Sequence, residues 1–197
     1  MRLDHTCAVA DNDFIQHMAE ARLPDDTLVE ALRTILSDLG LTAVVHPLVY
    51  EREVLQDKPR VRLLLEEAVV CAATFGDLFL GDPGDPERRA YYLYLVKELY
   101  RHLRGEALPV DGESILTYWA RERSLGEVHS VSMCLVCGSG IFLSDDADAK
   151  ALERYVRRAA LGAVSVYRRK ELVDRHLQSG AGKLPRNVRK SLAHERE

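Results

Sequence analysis

The sequence has little of what carries a chain through a membrane or staples it covalently. Its four cysteines, Cys7, Cys71, Cys134 and Cys137, all sit within apolar sequence. A chain of this size does not need a disulfide framework, so they are expected to be buried, reduced thiols. No stretch joins a basic start to an apolar run of signal-peptide length, and no window approaches the roughly 20 apolar residues that span a bilayer. A soluble, cytoplasmic protein without a membrane partner is expected. There is no internal repeat and no low-complexity segment. There is also no Gly-rich phosphate loop, and Ser124, Ser130, Ser132 and Ser144 belong to no nucleophile elbow or Ser/His/Asp arrangement. The Cys-Leu-Val-Cys spacing at 134–137 matches half a zinc site, but no second Cys or His pair follows and both thiols lie in an apolar run, so zinc is not expected.

What is present fits one globular domain: 197 residues, 47% hydrophobic, enough for a core that stands without metal or disulfide. The formal charge of −4 hides an asymmetry. From Glu153 onward there are twelve Lys and Arg against five Asp and Glu, a surplus of +7 that leaves −11 on residues 1–152. A basic end suits nucleic acid or an acidic partner as readily as it suits a solvated helical face.

Apolar runs alternate with helical patterns. Cys7–Ala10 reads as a buried strand ending in Asp11, Asn12 and Asp13; residues 14–23 have helical spacing. Leu28, Leu32, Ile35, Leu36 and Leu39 line one face of a second helix that Gly40 ends. Residues 41–50 (LTAVVHPLVY) read as a second strand, and the charged residues 51–59 follow it. Residues 60–80 read as helical at first and then enter the segment GDPGDPE, a loop, and residues 88–105 read as a helix with basic residues at its C-terminal end. Tyr91, Tyr92, Tyr94 and Tyr100 there are expected to pack rather than to form a stacking platform. Residues 111–140 read as two helical pieces meeting near Leu125 and Gly126. IFLSDD then forms a third strand, AVSVY a fourth, with helices after each, and a marginal basic helix or frayed tail lies beyond Gly180. The expected fold is an α/β three-layer sandwich around a mostly parallel central sheet.

In open parallel sheets, ligand sites form outside the carboxyl ends of the strands. Asp11 and Asp13 follow the first strand, Glu51 and Glu53 the second, and Asp145 and Asp146 the third, so all face one sheet edge; Glu127 joins them if its helix points its N-terminus there. Gathered carboxylates raise one another's pKa unless a cation holds them. Hard divalent ions such as Mg²⁺ or Mn²⁺ take oxygen ligands, keep waters and bridge to phosphate, which suggests phosphodiester hydrolysis. Each acid also has a plainer reading: Asp145, Asp146 and Asp148 as helix caps, Glu51 and Glu53 as a solvated face, Glu127 as a first-turn acid. His129, on an apolar helix, reads as a packed or surface histidine rather than a ligand.

Taken together, AVADNDFI, HPLVYEREV and LGEVHSVSMCLVCGSGIFLSDDADAKAL, in that order, resemble the PIN-domain family of metal-dependent ribonucleases over residues 5–166. The third segment is the most specific. The resemblance implies a first acid at Asp11, a second at Glu51 or Glu53, a third at Glu127 and a fourth at Asp145 or Asp146. Asp11, Glu127 and Asp146 lead as catalytic residues, Glu51 is taken for the second acid, and Asp13 and Asp145 support as metal ligands. Where the family has a small hydroxyl residue after the first acid this chain has Asn12, and Asp13 adds charge where the family often has Asn or Ser. The implied organisation is a PIN-like domain over residues 1–166, elaborated at 60–110 into a lid, a homodimer surface or a partner site, followed by a basic segment at 167–197. The implied function is RNA hydrolysis with Mg²⁺ or Mn²⁺, as the toxin of a toxin–antitoxin pair held by a protein antitoxin. The phosphate backbone would be gripped by Arg168, Arg169, Lys170, Arg186, Arg189 and Lys190. Single-stranded DNA as substrate, and a non-catalytic interaction module of the same fold, are the alternatives.

Overall fold

Short Ala/Val-rich runs form two of the inner strands of this chain, buried almost throughout, the environment a parallel sheet covered by helices provides. The computed structural model describes residues 3–54, 57–81, 84–120, 124–180 and 184–193. Strand β1 (Cys7–Ala10) leads through α1 (Asn12–Ala19) and α2 (Asp25–Asp38) to β2 (Thr42–Val45). Helices α3 (Pro47–Arg52) and α4 (Pro59–Glu66) precede β3 (Val70–Ala72). Then α5 (Phe75–Phe79), α6 (Pro86–Arg104), a 3-10 turn (Gly112–Leu116) and α7 (Leu125–Cys137) lead to β4 (Ile141–Leu143). Helix α8 (Ala147–Arg158), β5 (Ser165–Tyr167), α9 (Arg169–Gln178) and α10 (Arg186–Leu192) follow.

The strands form one all-parallel sheet in the order β3-β2-β1-β4-β5. Side chains alternate across it and build two cores. Ala8, Ala10, Ala43, Val45 and Leu143 face α1, α2, α4, α9 and α10 through Phe14, Ile35, Leu64, Leu172 and Val188. Cys7, Val9, Val44, Phe142 and Val166 face α6, α7 and α8 through Val96, Val131 and Leu152. The result is the expected three-layer α/β sandwich. The first crossover, from β1 to β2, covers one face and the crossover from β4 to β5 covers the other, so the strand order reverses direction between the neighbours β1 and β4. A crevice at such a reversal is where open parallel sheets bind ligands.

Three local readings change. Residues 70–72, read as part of a helix, form edge strand β3, because the α4 helix stops at Glu66 and Ala68 takes a left-handed turn (φ 51°). The second strand ends at Val45 rather than Tyr50: Pro47, at the first turn of α3, fits a helix start, and His46 caps it. The segment from Tyr167 on, which its charge sets apart, shares the first core through Leu172, Val173, Val188 and Leu192. Residues 82–83 of the expected loop, 121–123 between the two helical pieces, and 181–183 and 194–197 of the terminal segment lie outside the described residues. Tyr92 and Tyr100 are fully buried, whereas Tyr91 and Tyr94 are exposed. All four cysteines are free thiols, Cys7 and Cys134 buried and the other two half-buried. No helix among the described residues is long and apolar enough to cross a membrane.

A buried polar chain ties three helices together behind the crevice. The Leu48 N–H donates to His46 Nδ1 (3.2 Å), which leaves the His46 proton on Nε2, where it meets the Tyr92 hydroxyl at 2.8 Å. Tyr92 in turn donates to His129 Nδ1 at 2.6 Å. Burial holds both imidazoles neutral, pushing His46 well below its ordinary pKa and His129 down to about 3. The chain joins α3, α6 and α7, and with them the two helices that carry Glu53 and Glu127.

Candidate metal centre

Register decides which residues share the sheet edge. Ala10 pairs with Leu143 and Leu143 with Tyr167, so Asp11, Ser144 and Arg168 emerge side by side, with His46 emerging one strand over. Asp11 leaves β1 with its N–H still on Leu143 O (2.9 Å) and caps α1, accepting the Asn12 N–H at 2.8 Å. It is only 3% exposed. Asp13 accepts N–H groups from Phe14 (2.6 Å) and, across the crevice, Asp145 (3.1 Å). Ser144 accepts the Asp146 N–H (3.1 Å) and has its hydroxyl 3.3 Å from Asp11 Oδ2 and 3.5 Å from Asp13 Oδ1.

Glu127 enters from the first turn of α7. The residue before that helix, Ser124, has left-handed backbone (φ 48°), a conformation that costs a non-glycine residue about 1–2 kcal/mol and is held here by its hydroxyl's bond to Asp148 (2.6 Å). Gly126 explains how Glu53 approaches: a Cβ on Gly126 would sit 3.0 Å from both Glu53 carboxylate oxygens. Glu53 terminates α3 and leans onto the α7 N-terminus, where the helix dipole favours a carboxylate.

These four acids perturb one another. Burial pushes Asp11 well above the ordinary carboxyl range, and the charges of Glu127, Asp13 and Glu53 push it further. Burial raises Glu127 to about 8, opposed by its own backbone N–H and helped by Asp146, Glu53 and Asp13. Glu53 is raised to about 7 by burial and by Asp13. Burial and Asp145 raise Asp13 against the Phe14 N–H and His17. Among the described residues no Lys or Arg pairs with Asp11, Asp13, Glu53 or Glu127.

The remaining candidates divide. Asp146 caps α8, accepting the Asp148 N–H at 2.7 Å, while its charge still reaches Glu127. Asp145 lies at the edge but its carboxylate is taken: it accepts the Arg169 N–H (3.1 Å), pairs with the Arg169 Nε, and meets His17 Nδ1 at 2.8 Å. Glu51 is exposed on α3, and Glu53, two residues on, reaches the cluster in its stead. Of the basic residues, Arg169 is buried on Asp145, Arg168 and Arg189 are half-buried, and Lys170, Arg186 and Lys190 are exposed. Arg186, Arg189 and Lys190 line a cleft of about 230 Å³ on α9 and α10. Ser144 and Gly126 carry site geometry that spacing did not flag; a hydroxyl directly after a strand and a glycine directly before an acid were their only signals.

The donor set suits a hard divalent cation: several carboxylate oxygens, buried at Asp11 and half-buried around it, with no Lys or Arg partner among the described residues. Among the described residues no three His, Cys, Asp or Glu side chains are arranged to hold a metal by themselves. Mg²⁺ is ordinarily held by one or two carboxylates, several waters and substrate phosphate rather than by an all-protein cage, and Asp11 with Glu127 would meet that pattern. Comparison with protein-family models, curated proteins and solved structures gives no match.

Proposed function

We propose that this chain is a PIN-like, cytoplasmic, metal-dependent nuclease that hydrolyses RNA phosphodiester bonds. One observation carries the reading: four mutually perturbed carboxylates, Asp11, Asp13, Glu53 and Glu127, with no Lys or Arg partner among the described residues, at the strand-order reversal of a parallel sheet. Carboxylates crowded around a buried Asp11 without a cationic partner are costly to ionise, and strongly shifted groups of this kind cluster at functional sites.

Asp11 and Glu127 would hold Mg²⁺ or Mn²⁺, with Asp146 and Asp13 at the rim. The chemistry a bound divalent ion supplies is polarisation of a phosphoryl oxygen and acidification of water. The chain's own residues do the rest. The Ser144 hydroxyl lies within reach of the Asp11 and Asp13 carboxylates and can donate to one of them at a time. Glu53, poised near pH 7, is suited to take a proton from an attacking water. The His46–Tyr92–His129 chain fixes α3 against α7 and so Glu53 against Glu127.

The test is incubation of purified protein with labelled RNA and labelled single-stranded DNA, with Mn²⁺ or with chelator. RNA should be cut only with Mn²⁺, and Asp11→Asn should abolish the cutting. RNA left intact by wild type under every condition would overturn the nuclease. Mn²⁺ calorimetry then separates a catalyst from a scaffold of the same fold: equal, negligible heats in wild type and Glu127→Gln reject the metal site.

A further inference from the structure

We propose that the cleft between α1, α9 and α10 is a phosphate subsite that grips the nucleic-acid backbone beside the acid cluster; this rests on the nuclease reading. The cleft has a volume of about 290 Å³ and is lined by His17, Glu20, Arg22, Arg169, Lys190 and Ser191. That lies near the small end of ligand sites, suited to a phosphate with its sugar.

Its charge points to an anion. Arg22, Arg169 and Lys190 bring three positive charges against the carboxylates of Glu20 and Asp145, and α9 starts at Arg169 with the positive end of its dipole at the cleft. Arg22 and Lys190 are exposed and make no ion pair among the described residues. Arg169 is different: its side chain is only 8% exposed and locked by its Nε on Asp145. None of the hydrogen bonds of the described residues uses its two terminal nitrogens, and neither is a buried, unpartnered atom, so both keep some access to solvent in a residue that lines the cleft. A guanidinium fixed on one edge and free on the other is pre-organised to take two oxygens of a phosphate.

The placement ties the cleft to the acids. Asp145 donates its backbone N–H to Asp13 and holds Arg169 and His17 with its carboxylate. One residue therefore links the acid cluster to two of the side chains that line the cleft. A strand whose scissile phosphate lies at the acids would set a neighbouring phosphate on Arg169, Arg22 and Lys190.

The experiment measures binding of a fluorescein-labelled single-stranded RNA decamer by anisotropy in EDTA over a salt series, for wild type and Arg22→Ala/Lys190→Ala. Inorganic phosphate and adenosine monophosphate serve as competitors, which separates a backbone phosphate from a free anion. The double variant should bind about tenfold more weakly and lose roughly 1–2 from the slope of log affinity against log salt, with an unchanged circular dichroism spectrum. Arg22→Lys/Lys190→Arg should restore both. Unchanged affinity and slope in the alanine variant would overturn the subsite. Competition by inorganic phosphate at the same concentration as by RNA would replace a strand subsite with a free-anion site and overturn it too. Wild-type cleavage of RNA that the alanine variant matches rejects the cleft alone; charge-dependent RNA binding by a protein that cuts no RNA rejects the nuclease alone.

Discussion

Two sets of polar groups, one fully buried and one half-buried around Asp11, share helix α7 and behave in opposite ways. His129 sits in a closed chain with Tyr92 and His46, in which two imidazoles and a hydroxyl hand single protons along and stay neutral. Glu127, two residues earlier, faces Asp11, Asp13 and Glu53, all acceptors when ionised, with no Lys or Arg among the described residues to answer them. The first set supplies both donor and acceptor for each of its shared hydrogen bonds. The second is complete only with added protons or an added cation, and this difference, rather than burial as such, distinguishes a structural network from a site.

The largest effect is expected at Asp11: Asp11→Asn keeps the side chain's shape and its cap on α1, yet removes a carboxylate, so Mn²⁺-dependent cleavage of RNA should fall at least ~100-fold while thermal stability holds or rises. A parallel loss of stability would make Asp11 structural. Tyr92→Phe should do the reverse. It strands His46 Nε2 and His129 Nδ1 in the core, at a cost of about 1–3 kcal/mol for such a group, read as a lower melting temperature by roughly 2–4 °C per kcal/mol. Mn²⁺ affinity measured by calorimetry should change far less.

A smaller effect concerns pH without metal. An unfolded glutamate releases its proton near 4.5, whereas in the fold Glu53 keeps its proton to about 7 and Glu127 to about 8. The native state thus holds more protons across that window, and stability falls as pH rises through it. In chelator, the melting temperature should decline from pH 5.5 to 8.5. Glu127→Gln should flatten the decline and raise the melting temperature at pH 8 by a few degrees. A flat wild-type profile would show that these carboxylates do not repel as described. The smallest effect is expected from Gly126→Ala. Its Cβ would press on the flexible Glu53 carboxylate, moving cleavage a few-fold and stability by less than ~1 kcal/mol.

Much of this was legible in the sequence, for identifiable reasons. Alternating apolar runs and helical stretches indicated a parallel sheet, and the strand-end rule brought Asp11, Asp13 and the Asp145–Asp146 pair to one edge without any tertiary information. Strand β3 escaped because its three residues, one of them exposed, continue an apolar run that also fits a helix. Glu51 could not be told from Glu53 because the choice depends on where α3 ends, and that helix is only six residues long. Asp145 looked as available as Asp146, since its partner Arg169 lies twenty-four residues ahead across a strand. The His46–Tyr92–His129 chain joins positions 46, 92 and 129, a spacing with no local pattern to betray it.

The Ser144 hydroxyl has one hydrogen to give and two aspartates within reach of it. At any instant one of those carboxylates must look elsewhere for positive charge. In the absence of a cation, solvent protons fill that role, and with Glu53 and Glu127 also titrating near neutrality the pocket stores them. On the proposed function, loading the site would exchange hydrogen ions for metal. The apparent heat of Mn²⁺ binding at pH 7 should vary with the ionisation enthalpy of the buffer, its slope counting the protons expelled, and that slope should shrink above pH 8 as Glu53 and Glu127 give theirs up beforehand.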